Sequence, residues 1–230
     1  MTVLGIGMAI ARILEPEIMD DPAEAIAYDA MDFSDVNQDF ANLVASTYTQ
    51  ATARVLDLGT GTARIPILLV QQCPQWRIDA VDLAPSMLAV GKKNVAIANL
   101  INQITLHLAD SKKLPWGDQT FDVIMSNSLI HHLPDPLPCF REMRRLLKPN
   151  GAIVVRDLFR PKSVAIIDQI IEGVQDAQFD TNQLKLFRDS LFAAFTPEEV
   201  KTMAQQSGLS PAKIEQSSER HWTLVFVAAS

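Results

Sequence analysis

The sequence predicts a doubly wound α/β fold on a mostly parallel seven-stranded sheet whose final strand runs antiparallel. Three observations carry that expectation. From Arg54 onward, short β-rich runs alternate with helical stretches: "RVLDLG", "RIDAVDL", "ITLHLAD", "FDVIMSNS" and "AIVVRDLF". These runs are too apolar to be half-exposed, so both faces of the sheet must be covered. Two later runs, "PAKIEQSS" and "HWTLVFVA", have no helix between them and should form a hairpin at the sheet edge.

The chain has 230 residues, 48% of them hydrophobic, which suits one large α/β domain over 1–230. Its apolar run from Val3 to Ala11 has no basic residues ahead of it and acidic ones behind it. It is too short to span a bilayer, so no membrane span and a cytoplasmic location are expected. Val36, Phe40, Leu43, Val44 and Tyr48 recur at helical spacing and predict a helical N-terminal arm over 1–50.

A core follows over 54–159. Within it, "PDPLPCFREMRRLLKPNG" reads as a helix with Asp135 as cap, Pro136 in its first turn, and Gly151 beyond its basic end. Leu137, Phe140, Met143 and Leu147 form its expected core stripe. A helical lid is predicted over 163–195, with Val164, Ile167, Ile171 and Val174 on one face and Leu184, Phe187, Leu191 and Phe195 on another. Residues 196–230 supply a last helix, opened by the capping box of "TPEEV", and the hairpin.

The 20 Lys and Arg against 27 Asp and Glu leave a net charge of -7, which disfavours binding to a nucleic-acid backbone. Cys73 and Cys139 stand far apart, with no Cys or His at a zinc-type spacing. Both read as reduced core thiols, and no metal site is expected.

Ligand chemistry concentrates at "VLDLGTGTARIPILLV", where a strand passes through a glycine turn into a helix. Gly59 and Gly61 allow a sharp turn and close approach to a ligand. Arg64 occupies the sixth position of a dinucleotide fingerprint, where helix packing demands a small residue, and no Gly-Lys-Ser/Thr closes a phosphate loop. Asp57 precedes the turn, and its negative charge would repel a pyrophosphate and attract an ammonium group.

Asp82 lies 23 residues after Gly59 at the end of the second run, placed to accept both hydroxyls of a ribose. Leu83 beside it offers an apolar face to an adenine, and Asp110 ends the third run where it can accept an adenine amino hydrogen. Three acids at three successive strand ends suit an adenosine that carries a positive amine. S-adenosylmethionine is such a ligand.

In "VLDLGTGTAR", "AVDLAPSML", "LAD", "FDVIMSNSLIHHLPDP" and "LLKPNGAIVV", in that order, the sequence resembles the class I S-adenosylmethionine-dependent methyltransferases. It is most similar to the small-molecule group that includes the ubiquinone and menaquinone methyltransferases. The resemblance spans roughly Arg54 to Phe159 and implies a Rossmann-like methyltransferase fold. It assigns the methionine part of the cofactor to Asp57, Gly59 and Gly61, the ribose to Asp82, and the adenine to Asp110; Thr60, Leu83 and Ser111 beside them are expected to contact the cofactor as well. Ser126 and Asn127 would line the methionine end. Ala63 departs from the third glycine that many members carry there.

The resemblance leaves the acceptor open. His131 and His132 follow the fourth run and are candidates for a catalytic contact, because histidine can exchange a proton near neutral pH. Asp157, flanked by Arg156 and Arg160, is the third candidate; together they could orient a polar acceptor. Tyr28, Met31 and Phe33 of the arm are candidates for touching it.

The expected activity is methyl transfer to a small molecule with a hydrophobic portion, since the lid is apolar. The alternatives are a non-catalytic cofactor-binding protein and, disfavoured by Arg64, Asp57 and the final hairpin, a nucleotide-dependent oxidoreductase. An Asn or Asp followed by two prolines and an aromatic is missing after the fourth run, where "SNSL" stands. Nucleobase or glutamine methylation therefore loses support.

Overall fold

The computed structural model describes residues 10–18, 20–174 and 180–229. Its parallel strands are β1 (Arg54–Leu58), β2 (Arg77–Asp82), β3 (Ile104–Leu108), β4 (Phe121–Asn127) and β5 (Leu147–Leu158). The edge hairpin is β6 (Lys213–Gln216) and β7 (His221–Val227). The sheet order is β3-β2-β1-β4-β5-β7-β6, with β7 antiparallel to both its neighbours. Among these strands the order reverses between β1 and β4, which opens a crevice beyond their carboxyl ends.

Strand alternation divides the core into two layers. Leu56 and Leu58 enter one cluster with Phe140 and Met143 of α5 (Leu137–Leu146) and Val200 of α8 (Pro197–Gln206). Val55 enters the opposite cluster with Phe40 and Val44 of α2 (Ser34–Thr47), Leu69 of α3 (Arg64–Gln72) and Val95 of α4 (Pro85–Ile97). Full burial of one such side chain stabilises the fold by about 1.5–3 kcal/mol.

The arm is helical only from α1 (Pro22–Asp29) onward. Residues 10–18 run without helix because their polar groups are spent on the core: the Ile13 amide donates to Phe192 O at 3.1 Å, and Arg12 donates to the carbonyls of His131, Leu133, Pro134 and Ala193. Most of the apolar run from Val3 to Ala11 lies outside the described residues.

Around α5, Asp135 accepts from the Leu137 amide at 3.0 Å, as the sequence suggested. The helix stops earlier than expected, however, and Leu147 and Gly151 belong to β5. A Cβ on Gly151 would stand 2.8 Å from Asp122 O, so this glycine permits close strand approach rather than ending a helix. The buried stripe is accordingly Cys139, Phe140, Met143 and Leu146.

In the lid region, α6 (Val164–Glu172) and α7 (Thr181–Ala193) close a small cluster of Leu158, Ile167, Leu191 and Ala194, packed beside Phe187. Val174 stands beyond the end of α6, and residues 175–179 lie outside the described set. Among the described residues, no helix is long and apolar enough to cross a membrane.

Candidate functional site

The glycine turn is held open by its neighbours. Gly59 and Thr60 donate their amides to Val81 O at 3.0 and 2.9 Å, while the Gly61 amide donates to Asp82 Oδ2 at 2.7 Å. The other Asp82 oxygen accepts from Ala84 N at 2.9 Å, so one carboxylate braces both the turn and the start of α4. Gly59 has φ +71°, and a Cβ there would meet Leu129 Cβ at 2.9 Å. Gly61 has φ +53° with open space around it. Ala63, where the resemblance predicts a glycine, also adopts a left-handed φ of 63°, a conformation costing an L-residue roughly 1–2 kcal/mol.

One cavity opens above this turn. Gly59, Thr60, Gly61, Asp82, Leu83, Asp110, Ser111 and Asn127 all line it. Asp57 and Ser126 do not. Asp57 is buried behind the turn, where desolvation, helped by nearby Asp82, pushes its carboxyl up to about 7. Ser126 is buried too, and its hydroxyl donates to Leu58 O at 2.9 Å.

The arm forms the cavity's outer wall through Tyr28, Met31 and Phe33, with the Tyr28 and Phe33 rings 5.5 Å apart. Arg64 donates to both oxygens of Asp29, at 2.8 and 2.7 Å, tying the arm to α3. Lys112 bridges Glu17 of the arm and Asp110 of the core. Asp29 and Glu17 carried no sequence signal, since each looks like one more acid in an acidic segment.

A second constellation surrounds the 3-10 turn Ile130–His132. Asp157 is wholly buried and accepts hydrogen bonds from the Ile130 amide, the Leu158 amide and His131 Nδ1 at 2.5, 2.6 and 2.5 Å. Burial alone would raise the Asp157 carboxyl, but the charge and hydrogen bond of His131 outweigh it and hold it below the usual range. Burial would likewise lower His131, and Asp157 outweighs it and raises it.

From the arm, Glu15 Oε1 approaches His132 Nδ1 at 3.0 Å and His131 Nε2 at 3.4 Å. Of the histidine pair and Asp157, only His132 reaches the cavity wall. Arg156 and Arg160 do not join Asp157: Arg156 lies over the Phe40 ring, and Arg160 donates to Ala194 O and Glu199.

Residues 56–155 match the family model described as "Methyltransferase domain". The chain is 33% identical over 111 residues to a ubiquinone/menaquinone biosynthesis C-methyltransferase of Geobacter sulfurreducens, an alignment covering 48% of this chain and 43% of that one. Residues 56–155 are thus similar to a methyltransferase domain, and the chain has the fold of S-adenosylmethionine-dependent methyltransferases. Solved structures agree with that methyltransferase fold. A putative S-adenosylmethionine-dependent methyltransferase of Methanococcus maripaludis has a TM-score of 0.71 at 21% identity, covering 95% of this chain and 98% of that one. Phosphoethanolamine N-methyltransferase 2 of Haemonchus contortus, in complex with S-adenosylmethionine, has a TM-score of 0.72 at 14% identity, covering 91% and 58%. The chain spans less than half the length of the first curated relatives it matches.

The cavity fits the methyltransferase cofactor. Asn127 Oδ1 is a buried acceptor with no hydrogen-bond partner among the described residues, suited to an ammonium N–H. Gly61 leaves its surroundings clear for a ligand at the turn.

Proposed function

We propose that this chain moves a methyl group from S-adenosylmethionine to a small molecule with a hydrophobic portion. The observation that carries the proposal is the convergence of eight cofactor-type residues from four strand ends on one cavity whose remaining wall is largely apolar. The bound cofactor supplies an electrophilic methyl on a sulfonium. The chain's contribution is positioning, which converts an encounter into an oriented in-line attack.

In this reading Asp82 receives the ribose, Leu83 flanks the adenine, and Asp110 with Ser111 takes its edge. Thr60 and the two glycines hold the methionine end, with Asn127 on its ammonium, while Asp57 and Ser126 support the turn from behind without lining the cavity. Leu129, Leu133, Met31 and Phe33 give the acceptor an apolar surround, beside the polar edge of His132. His131 and Asp157 position His132 rather than touch the acceptor: Asp157 anchors both the turn backbone and the neighbouring ring.

Within this chain, 54–159 is the working core, the arm over 1–50 contributes to the cavity wall, the lid region over 163–195 packs beside the core with none of its described residues lining that cavity, and 196–230 completes the sheet. The partner is a small-molecule acceptor and not a nucleic acid, in keeping with the net charge of -7. Cys73 and Cys139 are free, which suits a reducing cytoplasmic compartment.

The test is incubation with methyl-labelled S-adenosylmethionine and a panel of amphipathic phenols, carboxylates and amines. Label transfer to a panel member, with stoichiometric S-adenosylhomocysteine, is the expected result. Tight cofactor binding with no transfer to any panel member or to a metabolite extract would favour a non-catalytic binding protein.

A further inference from the structure

Glu15, His131 and His132 place three potential ligand atoms within 4.8 Å of one another, a constellation in which the arm supplies one member and the 3-10 turn two. We propose that these side chains bind a divalent transition-metal ion, with the chemistry of Zn2+, at the edge of the cavity. The site is separate from the cofactor residues and does not depend on methyl transfer.

Ligand orientation comes first. The Nδ1 of His131 is committed to Asp157 at 2.5 Å, leaving Nε2 to face Glu15 Oε1 at 3.4 Å. That is the carboxylate–imidazole–metal arrangement, in which a buried acid fixes the ring and its tautomer. The facing Nε2 lone pair and carboxylate repel unless a cation or a proton lies between them. His132 Nδ1 stands in the same relation to Glu15: it is 3.0 Å away, yet this buried nitrogen makes no aligned hydrogen bond.

Spacing agrees. Zinc ligands at about 2.0–2.1 Å from the ion lie roughly 3.3 Å apart at tetrahedral angles and about 3 Å apart at right angles. The two Glu15 separations, 3.4 and 3.0 Å, fall at those values.

The frame is rigid and mostly closed to water. Glu15 and His131 side chains are 8% and 4% exposed. Glu15 also accepts from Ser190 Oγ of α7 at 3.0 Å, and Asp157 and Arg12 hold the backbone of the histidine turn. Arg12 is the cation nearest in role, but its guanidinium is spent on the carbonyls of His131, Leu133, Pro134 and Ala193 and on the face of Phe195. Two imidazoles and one carboxylate leave coordination positions free, as in open catalytic sites. His132 lines the cofactor cavity and, with Glu15 and Ser190, a neighbouring pocket, so a bound ion would stand between the two spaces and tie the arm to the histidine turn.

The test uses the full chain, stripped with chelator and without cofactor or acceptor, titrated with Zn2+ by calorimetry and with Co2+ by visible absorption. One equivalent should bind, with a low-coordinate cobalt spectrum. Glu15→Gln and His132→Gln should each weaken binding at least tenfold, and Asp157→Asn roughly 10- to 100-fold. Thermal unfolding of each variant checks that it is folded, and the near-isosteric Glu15→Gln carries the test if Asp157→Asn is not. Absence of stoichiometric binding overturns the proposal and means that a proton bridges Glu15 and His131. Weak binding that is the same in wild type and Glu15→Gln, as adventitious coordination elsewhere would give, overturns it equally. Neither outcome bears on methyl transfer, which the labelled-cofactor experiment measures separately.

Discussion

Arg64 grips Asp29 through two hydrogen bonds of 2.8 and 2.7 Å, and this pair joins the first turn of α3 to the last residue of α1 across the cavity wall. Asp29 also accepts from Asn94 Nδ2 at 2.9 Å, so α4 shares the anchor. Arg64→Ala should barely alter stability, by less than about 1 kcal/mol, because its side chain is 51% exposed and such pairs are screened. It should weaken S-adenosylmethionine binding by about twofold to tenfold, since the cofactor must then order the arm at a cost of roughly 0.5–1.5 kcal/mol. Calorimetry beside thermal unfolding separates the two effects; a large stability loss with unchanged affinity would contradict this.

Asp82 holds the Gly61 and Ala84 amides at 2.7 and 2.9 Å. Replacing it with alanine frees both amides and removes the proposed ribose acceptor. Hydrogen bonds to a charged group contribute about 1.5–3 kcal/mol, so Asp82→Ala should weaken cofactor binding roughly 10- to 100-fold. Binding of S-adenosylhomocysteine should fall in parallel, because the ribose is common to both ligands.

Asp57 predicts a pH dependence. Burial pushes its carboxyl up to about 7, above the value in the unfolded chain. Below about pH 4 both states hold the proton; from there to about pH 7 only the folded state does, so stability falls as pH rises and levels off above that window. Relative to Asp57→Asn, wild type should therefore lose unfolding midpoint across that window. A cofactor ammonium favours the carboxylate, so cofactor affinity should rise with pH up to about 7 in wild type and less steeply in the variant. Parallel titrations of the two proteins check both slopes.

Gly151→Ala should destabilise the sheet without touching the cavity. Its Cβ would lie 2.8 Å from both Asp122 O and Leu147 Cδ1, and overpacking of this kind costs about 1–3 kcal/mol. Urea unfolding reads the loss, and cofactor affinity in the folded fraction should stay as in wild type.

Much of this was legible in the residues because the signals are local. Apolar β-runs alternating with helices led to five parallel strands, and two runs without a helix between them led to the β6–β7 hairpin. The turn and strand-end acids were legible for the same reason: a doubly wound sheet delivers its strand ends to one edge, so Asp82 and Asp110 had to converge near Gly59 and Gly61. The end of α5 was less so, since "LLKPNG" has the composition of a helix end and only pairing of Leu147 with Phe121 converts it into strand.

The sequence by itself determined the fold class, the cofactor turn and the family resemblance, because periodicity, turn chemistry and strand-end acids act over a few residues. Tertiary structure alone decided what stands over that turn. Nothing in "RILEPE" marks Arg12 as a clamp on distant carbonyls or Glu15 as the partner of a histidine pair, all of them more than a hundred residues away. Such long-range contacts depend on where packing leaves an extended arm, and on buried charges finding partners where water is excluded.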